Sequence, residues 1–410
     1  MACRCWQLHA FSIAFMKISF YTLGCKLNQA ETDELKTELK KIGAVVVPFS
    51  RRADVAIVRA CGVTCGASAT TREMIRHAKK RGAYVIATGC LESNIPEIDF
   101  AAKNNEEITE HVARLAKKVF IRETDFCEEP AHRTRAFVKI QNGCNFNCAY
   151  CIIPHFRGRS QSVPGEDVIN SINEKVAAGY REAVLTGVNI NQYRDKNLDL
   201  AGLIKKILLN TKIVRLRLGS LDPRLITPEL IKLYSNKKFA RRLMPHWHLS
   251  LQSGSDEILK KMKRPYTAQQ YLNIVAKLRG ANPLFSFTTD AIVGFPGETG
   301  TDFARTCDVV AEAVYAKVHV FPFSPRPGTV AGKMKPVRDQ IKTERSKKLI
   351  RLSKKIASEF AARFVGKTRP VLFENKNTGY TPEFIRVKTK KKFPPNTIAD
   401  VKITKSNLQL

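Results

Sequence analysis

Three cysteines stand close together in the run Gly143-Cys144-Asn-Phe-Asn-Cys148-Ala-Tyr150-Cys151, a C-x₃-C-x₂-C triplet. Thiolates are soft ligands that suit zinc or an iron–sulfur cluster. A closed zinc site takes four ligands at short paired spacings, and this triplet supplies three. A redox C-x-x-C pair would leave Cys144 without a purpose. Three thiolates fit three irons of a 4Fe–4S cluster and leave the fourth iron open to a small molecule; structural zinc is the competing reading. Cys25, Cys61 and Cys90 lie far apart in the sequence. Their spacing does not unite them, and a buried cysteine taken singly is usually inert.

The elements that must position these residues follow from apolar patterning. Strands are expected at residues 17–22, 44–47, 55–58 and 84–88, with helices at 30–42 and 67–80 between them. Strand and helix in alternation make a parallel sheet covered on its faces. Cys25, Cys61 and Cys90 each fall just past the C-terminal end of one of these strands, the edge where open α/β sheets bind ligands. A second alternating region gives strands at 136–140, 182–186, 214–218, 246–251, 286–293 and 317–320, with helices such as 168–178 and 269–278. Six such strands predict a full or partial (β/α) barrel with its site at the strand C-terminal ends. Thr186-Gly187, Ser220, Gln252 and the segment Gly294-Phe-Pro-Gly-Glu298 sit at those ends. Beyond a basic helix at 340–364, short strands at 369–373, 384–387 and 399–404 predict a small β-barrel of a kind that binds nucleic acid.

The domain plan is therefore an extension at 1–16, an N-terminal domain at 17–122, a polar linker at 123–135, a core domain at 136–366 and a small domain at 367–410. The extension carries Cys3 and Cys5, has no small-residue cleavage site, and reads as lying upstream of a start at Met16. With 69 Lys and Arg against 37 Asp and Glu, the 410-residue chain has a formal charge of +32. The last 80 residues contribute +15 of it. Such an excess calls for an acidic partner, nucleic acid first. No apolar run is long enough to span a membrane. Eleven cysteines in so long a chain do not make a disulfide framework, so a cytoplasmic protein with reduced thiols is expected. His246 and His248, two apart on a strand, read as packed or hydrogen-bonded rather than metal-bound. The Gly294–Thr299 segment lacks the Gly-Lys-Ser/Thr ending of a phosphate loop.

The cysteine triplet on the loop after the first barrel strand resembles that of the radical S-adenosylmethionine enzymes. The segments Tyr21-Thr-Leu-Gly-Cys25-Lys-Leu-Asn-Gln29, Cys61-Gly-Val-Thr64 and Thr88-Gly-Cys90 are similar to the N-terminal domain of the methylthiotransferases within that superfamily. Cys151-Ile-Ile-Pro154, Leu249-Ser-Leu-Gln-Ser-Gly-Ser255, Thr289-Asp-Ala-Ile-Val-Gly-Phe-Pro-Gly-Glu298 and Phe321-Pro-Phe-Ser-Pro-Arg-Pro-Gly-Thr329 extend the resemblance over nearly the whole chain from Lys17. It implies a Rossmann- or flavodoxin-like N-terminal domain, a partial radical barrel and a C-terminal TRAM-like RNA-binding domain. It implies that Cys144, Cys148 and Cys151 hold one 4Fe–4S cluster and that Cys25, Cys61 and Cys90 hold an auxiliary one. Tyr150, Thr186, Gly187, Ser220 and Gln252 become contacts for S-adenosylmethionine, which the cluster would cleave to a 5′-deoxyadenosyl radical. No side chain is implied as an acid or base.

Within the family, YTLGCKLNQ and LTGVNI (185–190) resemble the branch that methylthiolates C2 of N6-threonylcarbamoyladenosine next to the tRNA anticodon. The sister branches act on isopentenyladenosine in tRNA or on an aspartate of ribosomal protein S12. The partners implied are a tRNA anticodon stem-loop and an electron donor such as flavodoxin or ferredoxin, with the sulfur donor left open; a monomer is expected. Two departures stand out: Arg59-Ala60 precedes Cys61 where the family usually has Asn-Thr, and Gln161 and Val163 stand where it usually has arginines. Cys65, Cys127 and Cys307 have no role in the pattern. A non-catalytic iron–sulfur protein that only binds RNA is the reading from another class.

Overall fold

The computed structural model describes residues 16–92, 95–116 and 134–409. Residues 1–15 with Cys3 and Cys5, and the expected linker up to residue 133 with Cys127, lie outside the described residues. The described residues form two compact units.

The first unit is a five-stranded parallel sheet. Its elements are β1 (Lys17–Thr22), α1 (Lys26–Lys41), β2 (Val45–Val47), β3 (Val55–Ala60), α2 (Cys65–Lys80), β4 (Tyr84–Gly89), β5 (Phe100–Ala101) and α3 (Asn105–Ala116). The strand order is β2-β1-β3-β4-β5. Every residue of β3 is buried, as expected of a central parallel strand covered on both faces. One face packs Ile18, Phe20 and Ile57 against Leu35 and Leu39 of α1 and Ile108 and Val112 of α3. The other packs Val58 and Val85 against Ile75 and Ala78 of α2. The helix expected to begin at residue 30 starts at Lys26, because Cys25 is extended and Leu27 is already buried.

The second unit opens with six parallel strands: β6 (Arg135–Lys139), β7 (Glu182–Thr186), β8 (Arg215–Leu218), β9 (His246–Leu249), β10 (Ser286–Val293) and β11 (Lys317–Pro322). They pair in chain order; an isolated parallel bridge joins Leu216 of β8 to Leu243, just before β9, and the pairings leave β6 and β11 as edges. The expected barrel is thus the partial one. Leu185, Leu216, Leu218, Trp247, Leu249, Phe287 and Val293 enter the core beneath the surrounding helices. Several alternate residues of these strands face the other way and are polar. Arg217 donates to Glu182 at 2.7 Å and both are buried; the rings of His246 and His248 share the Thr288 hydroxyl.

The chain continues through α4 (Asp339–Ala362) into an antiparallel sheet of β12 (Thr368–Phe373), β13 (Thr378–Tyr380), β14 (Arg386–Lys388), β15 (Ile398–Lys402) and β16 (Leu408–Gln409), ordered β15-β12-β13-β14-β16. The expected strand at 384–387 is shifted to 386–388, since Phe384 takes a left-handed backbone (φ 65°). Its ring stacks on His246 at 4.7 Å. Arg215 donates to the carbonyls of Tyr380 and Pro370, and Arg217 to that of Pro382, so the barrel strands grip this sheet directly.

Candidate metal centres

The loop after β6 is fastened before its cysteines begin. Gln141–Asn142 pairs antiparallel with Gln161–Ser162. Gly143 has φ +69°, and a Cβ there would fall 2.0 Å from the Arg159 carbonyl oxygen, so only glycine fits. The Gln141 amide donates to the carbonyls of Asn142 and Gly143 and to the Ser160 hydroxyl, while its oxygen accepts the Asn189 N–H. Cys144 N–H donates to the Gly158 carbonyl, and Cys151 N–H to the Cys148 carbonyl. The three thiols lie within electrostatic reach of one another. Burial pushes Cys151 up to about 12, with Cys148 and Cys144 adding to it. Burial raises Cys144 too, and Cys148 again contributes. Thiols held protonated in this way lose their protons to solvent when a centre is present to take up the thiolate charge, which is what a metal does.

Two guanidinium groups flank Cys148. Arg224 Nη2 stands 3.7 Å from its sulfur and Arg264 Nη1 3.9 Å. The buried Asp222 carboxylate joins them, accepting from Arg224 at 2.6 and 2.8 Å and from Arg264 at 3.1 Å. Burial opposes its charge, but the Arg224 hydrogen bonds and the charge of Arg264 prevail and hold Asp222 below its ordinary value. Arg224 also lies 3.5 Å over the Phe146 ring, inside the cysteine loop. Sequence reading missed this clamp. Asp222 and Arg224 share one turn after the short strand Ser220–Leu221, but Arg264 comes from a loop 42 residues on, and no spacing connects it to them.

A cleft opens beside Cys151, lined among others by Tyr150, Ile152, Gln252, Asp290, Ile292 and Phe323. Gln252 is buried with φ +66°, a strained conformation that its surroundings must enforce. They do so through the Gln252 N–H to the Asp290 carbonyl and the Ile292 N–H to the Gln252 carbonyl. The Tyr150 hydroxyl accepts from Arg264 at 3.3 Å. Of the expected cofactor contacts, Tyr150 and Gln252 therefore meet in one cleft. Thr186 is buried at the end of β7, and a Cβ on Gly187 would lie 2.7 Å from Gln141 Oε1; Ser220 is exposed. These three do not line that cleft. His248 donates or accepts between Thr288 and Asp290, in keeping with a hydrogen-bonded rather than metal-bound histidine.

In the first unit, β1, β3 and β4 are neighbours, and Cys25, Cys61 and Cys90 follow their C-terminal ends. Gly24, at φ +91°, passes so close to Cys61 that an added Cβ would be 2.9 Å from its sulfur. Cys90 N–H donates to the Ala60 carbonyl at 3.2 Å. Asn28 Nδ2 donates to the carbonyls of Leu23 and Ala60, tying the Cys25 turn to the Cys61 turn. The topology gathers at one sheet edge what the sequence scatters.

No His, Cys, Asp or Glu group of three among the described residues could hold a single metal ion. His155, four residues beyond Cys151, packs edge-on against Phe156. A four-iron cluster asks for something else, one thiolate on each of three irons, and both triads offer thiols with no competing carboxylate in the series. The Gly294–Thr299 turn is filled from within: Glu298 accepts the Gly294 N–H at 2.7 Å and pairs with Arg345, which leaves no anion site. Arg59 is buried, paired with Glu31 at 3.1 Å and bonded to Asn105. Gln161 is exposed, and Val163 packs on the core. Cys65 opens α2, and Cys307 is half-buried.

The radical SAM superfamily model matches residues 138–310. The model described as uncharacterized protein family UPF0004 matches residues 17–110. The threonylcarbamoyladenosine tRNA methylthiotransferase MtaB of Chlamydia pneumoniae is 37% identical, over 89% of this chain and 89% of that protein. The MtaB of Thermotoga maritima is 37% identical over 86% and 85%. A tRNA-2-methylthio-N(6)-dimethylallyladenosine synthase of Carboxydothermus hydrogenoformans is 34% identical over 88% of each. Among solved structures, the radical S-adenosylmethionine methyltransferase TsrM from Kitasatospora setae shares the fold, with a TM-score of 0.59 at 15% identity over 78% of this chain and 75% of that one. Relatives above 30% identity run the length of both units, and the chain belongs to the radical S-adenosylmethionine methylthiotransferases.

Proposed function

We propose that this enzyme inserts a methylthio group at C2 of N6-threonylcarbamoyladenosine next to the anticodon of tRNA. The observation that carries the reading is the 37% identity to a threonylcarbamoyladenosine tRNA methylthiotransferase across nine-tenths of both chains. Membership of the superfamily implies a 4Fe–4S cluster and S-adenosylmethionine. Cys144, Cys148 and Cys151 would hold that cluster, and Cys25, Cys61 and Cys90 a second. When bound, the first supplies the electron that cleaves S-adenosylmethionine, radical chemistry suited to a C–H bond that acids and bases cannot readily open.

The chain's own residues do the positioning. Arg224 and Arg264, fixed by Asp222, set positive charge beside the Cys148 sulfur. Tyr150, Gln252 and Asp290 present an aromatic face, an amide and a carboxylate to the cleft beside Cys151, a donor and acceptor set suited to a nucleoside. Thr186, Gly187 and Ser220 stand at neighbouring strand ends as further contacts. The basic C-terminal sheet meets tRNA phosphates, and an electron donor such as flavodoxin or ferredoxin completes the system. No helix among the described residues is long and apolar enough to cross a membrane.

Nucleoside mass spectrometry on tRNA from a host lacking the modification, with and without this chain, tests the reading. Methylthio-threonylcarbamoyladenosine is expected with the wild-type chain and not with Cys148→Ala. A methylthio group on isopentenyladenosine instead would transfer the enzyme to the sister branch. Unchanged tRNA, with RNA binding intact, would leave a binding protein.

A further inference from the structure

Helix α4 carries five cations within nine residues: Lys347, Lys348, Arg351, Lys354 and Lys355, all exposed. At 100° per residue they fall on an arc of about 120°. The opposite face, with Leu349, Ser353, Ile356 and Phe360, is buried. Among the described residues none of the five is paired with a carboxylate, whereas Lys342 and Arg345 on the same helix are. Arg351 has like charges three or four residues away on both sides, an arrangement that weakens a helix. Apart from Lys348, whose ammonium lies 5.8 Å over the Phe303 ring, the stripe makes no ion pair or ring contact among the described residues, and its like charges mildly oppose the helix.

The helix also links two places already assigned. At its N-terminal end Lys342 reaches the Phe323 carbonyl and Arg345 the Glu298 carboxylate, beside the rim of the cleft. At its C-terminal end Phe360 and Phe364 enter the core of the antiparallel sheet. Between them lie 24 residues, about 36 Å of rigid rod. Exposed Lys367 and Lys402 carry the charge onward into that sheet, where Thr368 and Lys402 are paired.

We infer that the outward face of α4 is a track for the phosphodiester backbone of an RNA stem, holding the helical part of the substrate between the C-terminal sheet and the cleft. This rests on the tRNA reading given above. The stripe is purely cationic and offers no exposed aromatic ring for stacking bases, the device by which single strands are held. Paired RNA is read through its shape and its phosphates, which need only such charge. A membrane surface would want a row of apolar residues on the exposed face, whereas Leu349, Ile356 and Phe360 of α4 point inward and Ile350 is its one large apolar side chain left exposed.

The test uses the full-length, cluster-loaded chain with Lys347, Arg351, Lys354 and Lys355 all changed to Ala. Alanine keeps the helix, so the melting temperature should hold or rise. Iron content and RNA-independent cleavage of S-adenosylmethionine should match wild type. Binding to a tRNA or to a hairpin with an intact stem should weaken roughly ten- to a hundredfold, and the slope of log K against log salt should flatten by about 3. Binding to an unpaired strand of equal length should change far less, and Lys→Arg changes at 347, 354 and 355 should leave stem binding intact. If wild type and variant bind the stem with equal affinity and slope, the track is wrong. If wild type binds no RNA and an acidic protein takes its place, the tRNA reading fails along with the track.

Discussion

Replacing Asp222 by Asn tests whether the clamp beside Cys148 is a matched set of charges. The carboxylate is 6% exposed and accepts three short hydrogen bonds from two guanidinium groups. Asn keeps the shape and one acceptor but removes the charge, leaving Arg224 and the 4%-exposed Arg264 facing each other. Breaking a buried pair from one side costs about 3–5 kcal/mol. The retained acceptor, and the Phe146 ring under Arg224, favour the lower end, about 3 kcal/mol. At about 2–4 °C per kcal/mol for a unit of this size, the melting temperature of the cluster-free chain should drop by about 6–12 °C. The sign with pH follows from the depressed Asp222 value. Its stabilisation is present above the unfolded value of 3.8 and is lost as pH falls through the folded one. The gap between wild type and Asp222→Asn should therefore stay constant from neutral pH down to about 5 and close only below 3.8. Arg264→Met supplies the second arm of a thermodynamic cycle. Because Asp222 and Arg264 share one network, the double variant should recover at least about 1.5 kcal/mol of the summed losses; additivity within about 0.5 kcal/mol would refute the matched-charge argument.

Two further changes probe the thiol triads. Gly143→Ala puts a methyl group where the Arg159 carbonyl already stands, so the loop must open; anaerobic reconstitution should lose about four irons per chain of about eight while the first unit keeps its own. Arg59→Asn, which installs the residue usual in the family, removes a buried ion-pair partner of Glu31; the first unit should lose up to about 3 kcal/mol in chemical denaturation, and iron content should be unchanged if the pair is structural.

The sequence announces what is periodic or tightly spaced and hides what only folding assembles. Cys144, Cys148 and Cys151 are legible because they fall within eight residues of one loop, which brings them together in any fold. Cys25, Cys61 and Cys90 became legible through topology: each follows a strand, and β1, β3 and β4 turn out to be neighbours. The barrel strands Glu182–Thr186 and Ser286–Val293, rich in β-branched and apolar residues, stand at the bounds expected from the sequence. Helix α3 was missed although Ile108, Val112 and an acidic first turn mark it. β13 escaped because three residues, Thr-Gly-Tyr, carry no period. Asp222, Arg224, Arg264 and Gln141 escaped for a different reason. A polar residue on a loop looks solvated until the fold buries it, and no local rule states which loops will meet. His246 shows the reverse: its packing on Phe384 and its bond to Thr288 match the bland reading given to it from the sequence.

The clamp and the thiols make sense only together. Without metal, the Cys151 thiol is held protonated by burial and by its neighbours, so this loop is neutral where it is driest. A cluster held on this loop would need its ligands as thiolates, a large change of charge beside the buried Cys151. Arg224 and Arg264 already stand beside Cys148 to meet that change, and left alone they would repel each other and swing away. Asp222 prevents this: it fixes both guanidinium groups while cancelling only one of their two charges. The surplus positive charge faces the sulfur. Orientation is thus settled during folding rather than when the cofactor arrives, and little reorganisation is left to oppose binding. The same reasoning explains why the clamp is built from Arg rather than Lys. One planar fork can hold the carboxylate with one edge and present another edge to the sulfur, as Arg264 does with Nη2 on Asp222 and Nη1 toward Cys148.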